Sequence, residues 1–149
     1  MSKAFVKDDA DAPDEEAPLP ARPAERLPIT PRGFAALRAE LERLNAAGRG
    51  AQRRARLLEQ ILGGVYVQPP RSGSDEVGFG STVTVEADGA RRRYTLVGPD
   101  EVDVEQGLVS ASSPLGRSLL GRAVGDEVVV RRPKGDESIT IVAIDPWVE

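Results

Sequence analysis

The twelve residues 45–56 contain an unusual cluster of basic side chains: Arg49, Arg53, Arg54 and Arg56, with no carboxylate among them. Guanidinium groups bind phosphate oxygens or an acidic protein surface. Because the stretch has no Asp or Glu, it offers no ligand to a hard divalent cation such as Mg²⁺. No aromatic residue accompanies the arginines, so a solvated arginine-rich turn is an equally good interpretation of the cluster.

Other reactive side chains are scarce. The 149 residues include no cysteine and no histidine, which excludes disulfides, zinc sites built on those residues and Ser-His-Asp or Cys-His catalysis. Ser113 has neither a histidine nor a suitably placed lysine to activate it, and a helix cap before Pro114 explains it better. The sequence therefore predicts no catalytic residue, no metal site and no cofactor.

Charge divides the chain into three zones. Residues 1–28 hold seven acids, four bases and five prolines, which predicts a disordered acidic tail. We interpret this tail primarily as a solubilising leader. An electrostatic arm is the less favoured interpretation. Residues 29–67 carry a net charge of +4, and residues 68–149 carry −5. No apolar run approaches the roughly 20 residues of a membrane span, and the start lacks a signal-peptide core, so we expect a cytoplasmic protein without a membrane partner.

The basic zone, residues 29–67, predicts a short antiparallel helical hairpin that would position the arginines at its tip. Thr30 followed by Pro31 is a helix-start signal, and Gly48 is a stop signal. Apolar residues recur every three or four positions between them, at Phe34, Leu37, Leu41 and Leu44. A second helix fits from about Ala51 to Gly63, with an apolar stripe at Ala55, Leu58, Ile61 and Leu62.

Residues 77–149 predict an α+β module, a small antiparallel sheet with one short helix, after a linker at residues 68–76. Alternating apolar residues place strands at residues 81–86, 91–97, 108–110, 126–132 and 137–144. Asp88-Gly89 predicts a hairpin turn, and Ser113-Pro114 predicts the start of a helix over residues 115–120. We expect the leucines of that helix to be core residues: Leu115, Leu119 and Leu120.

Three blocks of the sequence resemble the GreA/GreB family of bacterial transcript-cleavage factors. They are ITPRGFAALRAELERL at residues 29–44, VGFGSTVTVEADGARRRYTLVGPDE at residues 77–101 and SSPLGRSLLGRAVGDEVVVRRPKG at residues 112–135. The third block is the most specific, since its Ser-Pro, Leu-Leu-Gly and Val-Gly-Asp elements occur at the family spacing. The acidic tail is similar to the leader of some GreB-like proteins.

This resemblance implies an FKBP-like C-terminal domain that docks at the rim of the secondary channel of RNA polymerase. It also implies a coiled coil that enters the channel. In cleavage-active members, acidic residues at the tip of this coil hold the second Mg²⁺ of the polymerase for two-metal phosphoryl transfer. Here the distal coil and its acidic tip are missing. We therefore expect a GreB-like, polymerase-binding elongation regulator that is not an enzyme and does not stimulate cleavage.

The resemblance also implies a polymerase-binding loop at Ser112, Ser113 and Pro114. Some relatives have an acidic residue where Ser112 stands, whereas Ser113 and Pro114 match the family. We expect a monomer, because the hairpin stripe is small enough to be covered within one chain. Nucleic-acid (DNA) contact is expected to be indirect, within the elongation complex.

Three alternatives remain open at this point. The arginine tip could touch RNA or an acidic channel wall during elongation. The short hairpin also fits a relative of the regulators of nucleoside diphosphate kinase, which share the C-terminal module. An FKBP-type peptidyl-prolyl isomerase is the weakest alternative, because the C-terminal half offers only Phe79, Tyr94 and Trp147 for an aromatic pocket.

Overall fold

The computed structural model describes residues 18–47, 51–69 and 75–145. The chain divides into two compact units. We call residues 1–26 and 34–65 the hairpin unit, and residues 27–33 and 66–149 the sheet unit.

Two helices form most of the hairpin unit, at the positions that the sequence predicts. Helix α1 spans Pro31–Ala47 and helix α2 spans Gln52–Gly63. Thr30 caps α1 as expected, because its Oγ1 accepts a hydrogen bond from the Gly33 amide at 3.0 Å. The apolar stripe of α1 is only half-buried, whereas α2 buries Ala55 and Leu58. The hairpin unit therefore has a small core centred on α2.

The acidic tail was predicted to be disordered through residue 28, and its described part differs from that prediction. The Pro18 carbonyl accepts a hydrogen bond from Arg53 Nη2 at 3.5 Å, and the Pro20 carbonyl accepts one from Gln60 Nε2 at 3.0 Å. Prolines lack an amide donor but keep a carbonyl acceptor, so a proline-rich segment can still form hydrogen bonds with a helix. Residues 1–17 lie outside the described residues.

A two-stranded sheet that the sequence analysis missed joins β1 (Leu27–Ile29) to β2 (Val65–Val67). The Gln68 amide extends the pairing by donating to the Ile29 carbonyl at 2.9 Å. Each strand has three residues, too few for a period of two to stand out. Leu27 and Pro28 thus belong to regular structure rather than to the tail.

The sheet unit contains five further strands and one short helix. In chain order they are β3 (Thr82–Ala87), β4 (Ala90–Val97), β5 (Leu108–Ser110), α3 (Pro114–Leu119), β6 (Glu127–Arg132) and β7 (Gly135–Asp145). The strand order in the sheet is β5-β4-β3-β7-β6. All six elements agree with the predicted positions to within two residues at each end. The mixed α+β class is therefore confirmed for the part of the chain that the structure describes.

Alternating side chains of the sheet and one leucine of α3 build the core of the sheet unit. Its fully buried members are Val77, Val83, Val85, Leu96, Leu119, Val128, Val130, Ile139 and Ile141. β-branched residues pack well on a pleated surface, which explains the excess of valine and isoleucine. A register shift between Thr84 and Val85 in the β3–β7 pairing bends the sheet, so that it curls around this core.

One pairing in the sheet was predicted wrongly. β5 runs parallel to β4, with Leu96 opposite Val109, so the sheet is not wholly antiparallel. The connection contains two 3₁₀ turns, Pro99–Glu101 and Val104–Gln106, which return the chain to the level of Thr95 in the second half of β4 before β5 begins. A parallel pair needs such a crossover, and the short turns gave no periodic signal.

The predicted linker, residues 68–76, overlaps structured residues at both ends. Gln68 extends the β1–β2 pairing, and Glu76 forms an isolated bridge with Ala123. Residues 70–74 lie outside the described residues. Among the helices of the described ranges, none is long and apolar enough to cross a membrane.

Candidate functional site

The loop of residues 112–114 connects β5 to α3, and its middle residue has a structural role. Ser113 Oγ donates to the Ser110 carbonyl at 2.6 Å and accepts from the Gly116 amide at 3.0 Å. The hydroxyl therefore caps α3 and closes the loop at the same time. With both its donor and an acceptor site in use, Ser113 shapes the loop rather than presenting a free hydroxyl.

The two flanking residues of the loop are exposed to solvent. Ser112 Oγ lies 2.9 Å from Ser110 Oγ, and the Ser112 amide donates to that same Ser110 oxygen at 3.2 Å. Pro114 occupies the first position of α3, where its missing amide proton costs nothing. The three predicted site residues are thus together, with Ser112 and Pro114 presented outward.

Gly116 is a supporting residue that the sequence analysis missed. A β-carbon at this position would lie 2.2 Å from the Ser110 carbonyl oxygen and 2.8 Å from Ala111 Cα. Only glycine lets α3 approach the end of β5 this closely. The pattern Ser-Pro-Leu-Gly contains the signal, since a glycine inside a six-residue helix is costly unless a close contact requires it.

The three leucines that were predicted to be core residues have different environments. Leu119 is fully buried, and Leu115 packs on the core with partial exposure. Leu120 is 37% exposed, so the prediction of a core role is wrong for this residue. The helix ends at Leu119, and Leu120 leaves the helical conformation (φ −56°, ψ 132°), so the helical spacing no longer determines where its side chain lies.

Leu120 lies instead in an open cleft of about 690 Å³ that is confined to the sheet unit. The cleft walls are largely apolar and come from β1, the segment before β3, the end of β4 and the residues around α3. Its apolar lining includes Leu27, Phe79, Val97, Pro99, Ala111 and Leu120. Such a surface can accept apolar side chains of a protein partner.

Polar groups stand along the same cleft. Ser110, Ser112 and Arg117 line it, and Arg117 is exposed in the last turn of α3. An exposed guanidinium beside apolar walls is typical of protein recognition surfaces, which favour arginine and aromatic residues. The predicted loop and the cleft therefore form one continuous candidate docking site, with Ser112 common to both.

A partly buried hydrogen-bond cluster around Glu101 stabilises one wall of this region. Glu101 Oε2 accepts from the Thr30 amide at 2.9 Å and from the Gly98 amide at 2.8 Å, while Oε1 accepts from the Thr30 hydroxyl. A β-carbon on Gly33 or on Gly98 would clash within 2.0 Å of neighbouring atoms. We call this arrangement the Glu101 clamp. No local pattern predicts this contact, because Thr30 and Glu101 are 71 positions apart.

The predicted basic contact residues are not equivalent in the structure. Arg54 makes two hydrogen bonds to Glu40, from Nε at 2.8 Å and from Nη2 at 3.1 Å, and this ion pair joins α1 to α2. Arg53 donates to the Pro18 carbonyl, and neither Arg53 nor Arg56 is without a partner. Arg49 lies outside the described residues. Arg54 is therefore committed to the hairpin rather than free for phosphate.

Electrostatics at this ion pair agree with its geometry. The hydrogen bond from Arg54 is the main cause that lowers the pKa of the Glu40 carboxyl, and the charges of Arg54 and Arg43 add to the effect. The same bond raises the pKa of Arg54. Glu40 is thus ionised at neutral pH and offsets part of the arginine charge. Within the described ranges, no group of three or more acidic side chains is placed to hold a metal ion.

Comparison with known proteins relates this architecture to one family. The model of the C-terminal domain of the transcription elongation factors GreA and GreB matches residues 72–146, about half of the chain. The GreA of Maridesulfovibrio salexigens is 33% identical over 150 residues, covering 79% of this chain and 94% of that protein. The GreA of Nitratidesulfovibrio vulgaris strain Miyazaki F is 49% identical over 72 residues, covering 47% of this chain and 45% of that protein.

Among solved structures, the GreA factor homolog 1 (Gfh1) of Thermus thermophilus is 28% identical. The match covers 81% of this chain and 99% of that one, with a TM-score of 0.44. The sequence matches carry the assignment: the chain belongs to the GreA/GreB family of transcription elongation factors. The FKBP-like description of its C-terminal domain stays a prediction.

The alignment with the Maridesulfovibrio protein also shows a difference in length between the two aligned chains. It extends over 150 residues, more than the 149 of this chain, yet it uses only 79% of the chain. Part of that GreA therefore has no counterpart here. The short helices α1 and α2, with 17 and 12 residues, are consistent with a loss in the helical hairpin.

Proposed function

We propose that this protein binds RNA polymerase through the sheet unit, at the rim of the secondary channel, and regulates elongation without stimulating transcript cleavage. The observation that carries the docking part is the loop of residues 112–114, which lies inside the domain that the family model matches and beside an open apolar cleft. The proposed site combines a rigid loop with an apolar recess, and such recesses supply the hot spots of protein interfaces.

The absence of cleavage activity is argued from the hairpin. At 1.5 Å per residue, the 17 residues of α1 extend about 26 Å. Between Glu42 and Glu59 the sequence has no acidic residue, so the end of the hairpin has no carboxylate to offer Mg²⁺. Metal-assisted phosphoryl transfer needs such a ligand at the metal. We accordingly propose that the protein is a regulator and not an enzyme.

The docking proposal is tested by measuring the affinity of core RNA polymerase for a fluorescently labelled protein. The variant Leu120→Ala removes an exposed cleft side chain and should weaken binding about tenfold, a typical loss at an interface hot spot. The matched control is Val124→Ala, because Val124 is 57% exposed in the same unit and does not line the cleft. Its affinity should equal that of the unchanged protein.

Thermal unfolding of both variants shows whether the fold is intact. Equal affinities for Leu120→Ala and the unchanged protein would remove the cleft from the docking site. Absence of binding at micromolar concentration for the unchanged protein would overturn polymerase docking as a whole.

The cleavage proposal is tested with backtracked elongation complexes that carry an end-labelled transcript. We expect no increase in the rate of transcript shortening when the protein is added in saturating amounts. The GreA of Maridesulfovibrio salexigens, assayed in parallel, serves as the reference protein. Faster shortening with this protein would show that carboxylates at the hairpin end are not required.

A further inference from the structure

The apolar cleft of the sheet unit has one charged residue in its lining, Arg117 in the last turn of α3. Among the described residues that line the cleft, none is acidic. Arg117 is exposed, and within the described ranges no hydrogen bond or ion pair engages its guanidinium group. The cleft therefore combines apolar walls with a positive charge that no described carboxylate offsets.

Helix capping does not account for Arg117. A basic side chain near a helix C-terminus can bind the last carbonyl groups of that helix. Here Arg122 does so, because its Nε donates to the Ser118 carbonyl at 3.3 Å and its amide donates to the Leu119 carbonyl at 3.1 Å. The end of α3 thus has other donors, and the Arg117 guanidinium group is available to a partner.

The strand edges beside the cleft give an extended partner chain little main chain to pair with. β5 is the last strand of its sheet, but the Leu108 amide and carbonyl are already bonded to Asp103, at 2.9 Å each. The Ser110 carbonyl accepts from the Ser113 amide at 3.0 Å, and Pro28 of β1 has no amide hydrogen. Strand addition depends on free amide and carbonyl groups along an edge. A partner that occupies this cleft therefore binds through its side chains.

The lining of the cleft determines which side chains it accepts. An open recess of about 690 Å³ with apolar walls accepts apolar side chains. A partner surface that covers the recess also removes water from Arg117, and an arginine that loses water without gaining an anion weakens binding. A carboxylate placed beside the apolar groups avoids this loss, because it can form two parallel hydrogen bonds with a guanidinium group.

We propose that RNA polymerase fills the cleft with apolar side chains and places one carboxylate next to them, which pairs with Arg117. This inference rests on the docking function proposed above and adds the chemistry of the partner surface. It makes Arg117 a residue that selects the partner. A surface with apolar groups alone, or with a basic side chain opposite Arg117, binds less tightly.

The first measurement compares the affinity of core RNA polymerase for the unchanged protein and for Arg117→Gln. We expect a loss of about tenfold, because the variant removes the charge and leaves the partner carboxylate unpaired. Arg117→Lys keeps the charge and should recover part of the loss. The matched control is Arg131→Gln, which removes the same charge from an exposed arginine outside the cleft. Its affinity should change by less than about twofold.

The second measurement identifies the partner group by carbodiimide cross-linking. A carbodiimide activates a carboxylate, which then forms an amide with a neighbouring amine, whereas a guanidinium group does not react. Arg117→Lys therefore places an amine at the proposed contact, in a chain whose other lysines are Lys3, Lys7 and Lys134. We expect mass spectrometry to find position 117 joined to an Asp or Glu of the polymerase. The control Arg131→Lys should give no such product.

Equal affinities for Arg117→Gln and the unchanged protein would overturn the inference, and so would equal losses for Arg117→Gln and Arg131→Gln. The docking function would still stand if Leu120→Ala weakened binding in the same assay. Cross-links from position 117 only to a second copy of this chain would also overturn the inference, because they would assign the cleft to self-association. If the unchanged protein does not bind polymerase, the docking function and this inference fail together. Equal thermal unfolding midpoints of the variants show that their fold is intact.

Discussion

Different interactions stabilise the interior of the hairpin unit and the interior of the sheet unit. The sheet unit has nine fully buried apolar residues in one cluster, and its candidate site rests directly on that core through Leu119. Helix α1 of the hairpin unit buries no residue completely, and an exposed ion pair joins it to α2. Burial stabilises far more than a surface ion pair, so substitutions in the two units should differ in size and in what they disturb.

This contrast suggests a division of roles. The proposed docking loop is positioned by packing and by capping, and we expect it to lose its shape when the core beneath it changes. The hairpin contributes charge at its surface, where we expect substitutions to leave the fold intact. The following variants test this division, beginning with the one for which we expect the largest effect.

Leu119→Ala should destabilise the protein by about 3 kcal/mol, because it removes a fully buried side chain and leaves a cavity. The neighbouring variant Leu120→Ala should change stability by less than about 0.5 kcal/mol, since that side chain is exposed. Urea denaturation followed by circular dichroism measures both. Equal losses for the two leucines would contradict the placement of Leu120 outside the core.

Gly116→Ala should cost about 2 kcal/mol, because the added methyl group would meet the Ser110 carbonyl at 2.2 Å. The matched variant in the hairpin is Gly63→Ala, where a β-carbon meets no atom within 4 Å. Alanine at this helical position should stabilise by up to about 0.5 kcal/mol. Thermal unfolding of the pair distinguishes a required glycine from a tolerated one, and opposite signs are the expected result.

Ser113→Ala should reduce stability by about 1 kcal/mol, the usual cost of losing a helix cap. Ser112→Ala removes an exposed hydroxyl and should change stability by less than about 0.5 kcal/mol. Amide hydrogen exchange in α3 provides the readout, with faster exchange in the Ser113 variant only. Similar exchange in both variants would mean that the cap does not hold the loop.

Glu40→Gln should have the smallest effect, about 0.5 kcal/mol at neutral pH, because the Arg54 partner is half exposed and screened by solvent. Arg54 lowers the pKa of Glu40 below its ordinary value near 4.5, so the stabilisation is present above that value. It is lost as the pH falls through the lowered pKa. The stability difference between the unchanged protein and Glu40→Gln, measured from pH 7 to pH 3, should therefore be largest at neutral pH and shrink as the pH falls below 4.5. A difference independent of pH would contradict an ionic contribution.

Signals from residues close in sequence predicted most of the helices and strands. Contacts between residues distant in sequence were not predicted. Thr30-Pro31 and Ser113-Pro114 predicted two helix starts, because capping depends on neighbours within three residues. The alternation of valines predicted the strands, because it too depends only on residues close in sequence. The parallel pairing of β5 with β4 depends instead on how the two short 3₁₀ turns direct the chain back along the sheet. The sequence placed the loop of residues 112–114 on the protein surface through its family resemblance, but it did not reveal the cleft.

Leu120 illustrates why the cleft was not predictable. A helical repeat assigns Leu119 and Leu120 to similar faces only if the helix continues through both. It ends between them, and Leu120 no longer follows the helical repeat. The end of a six-residue helix is set by tertiary contacts around Gly116 and Gly121 rather than by propensity.

The Glu101 clamp has a consequence for the order of events during synthesis. The Thr30 hydroxyl gives its proton to Glu101 and keeps a lone pair for the Gly33 amide, so one side chain serves both partners. Glu101 leaves the ribosome 71 residues after Thr30. The hydrogen bonds from Thr30 to Glu101 can thus form only once the whole β3–β4 hairpin has been made, and a nascent chain that ends before residue 101 lacks the acceptor.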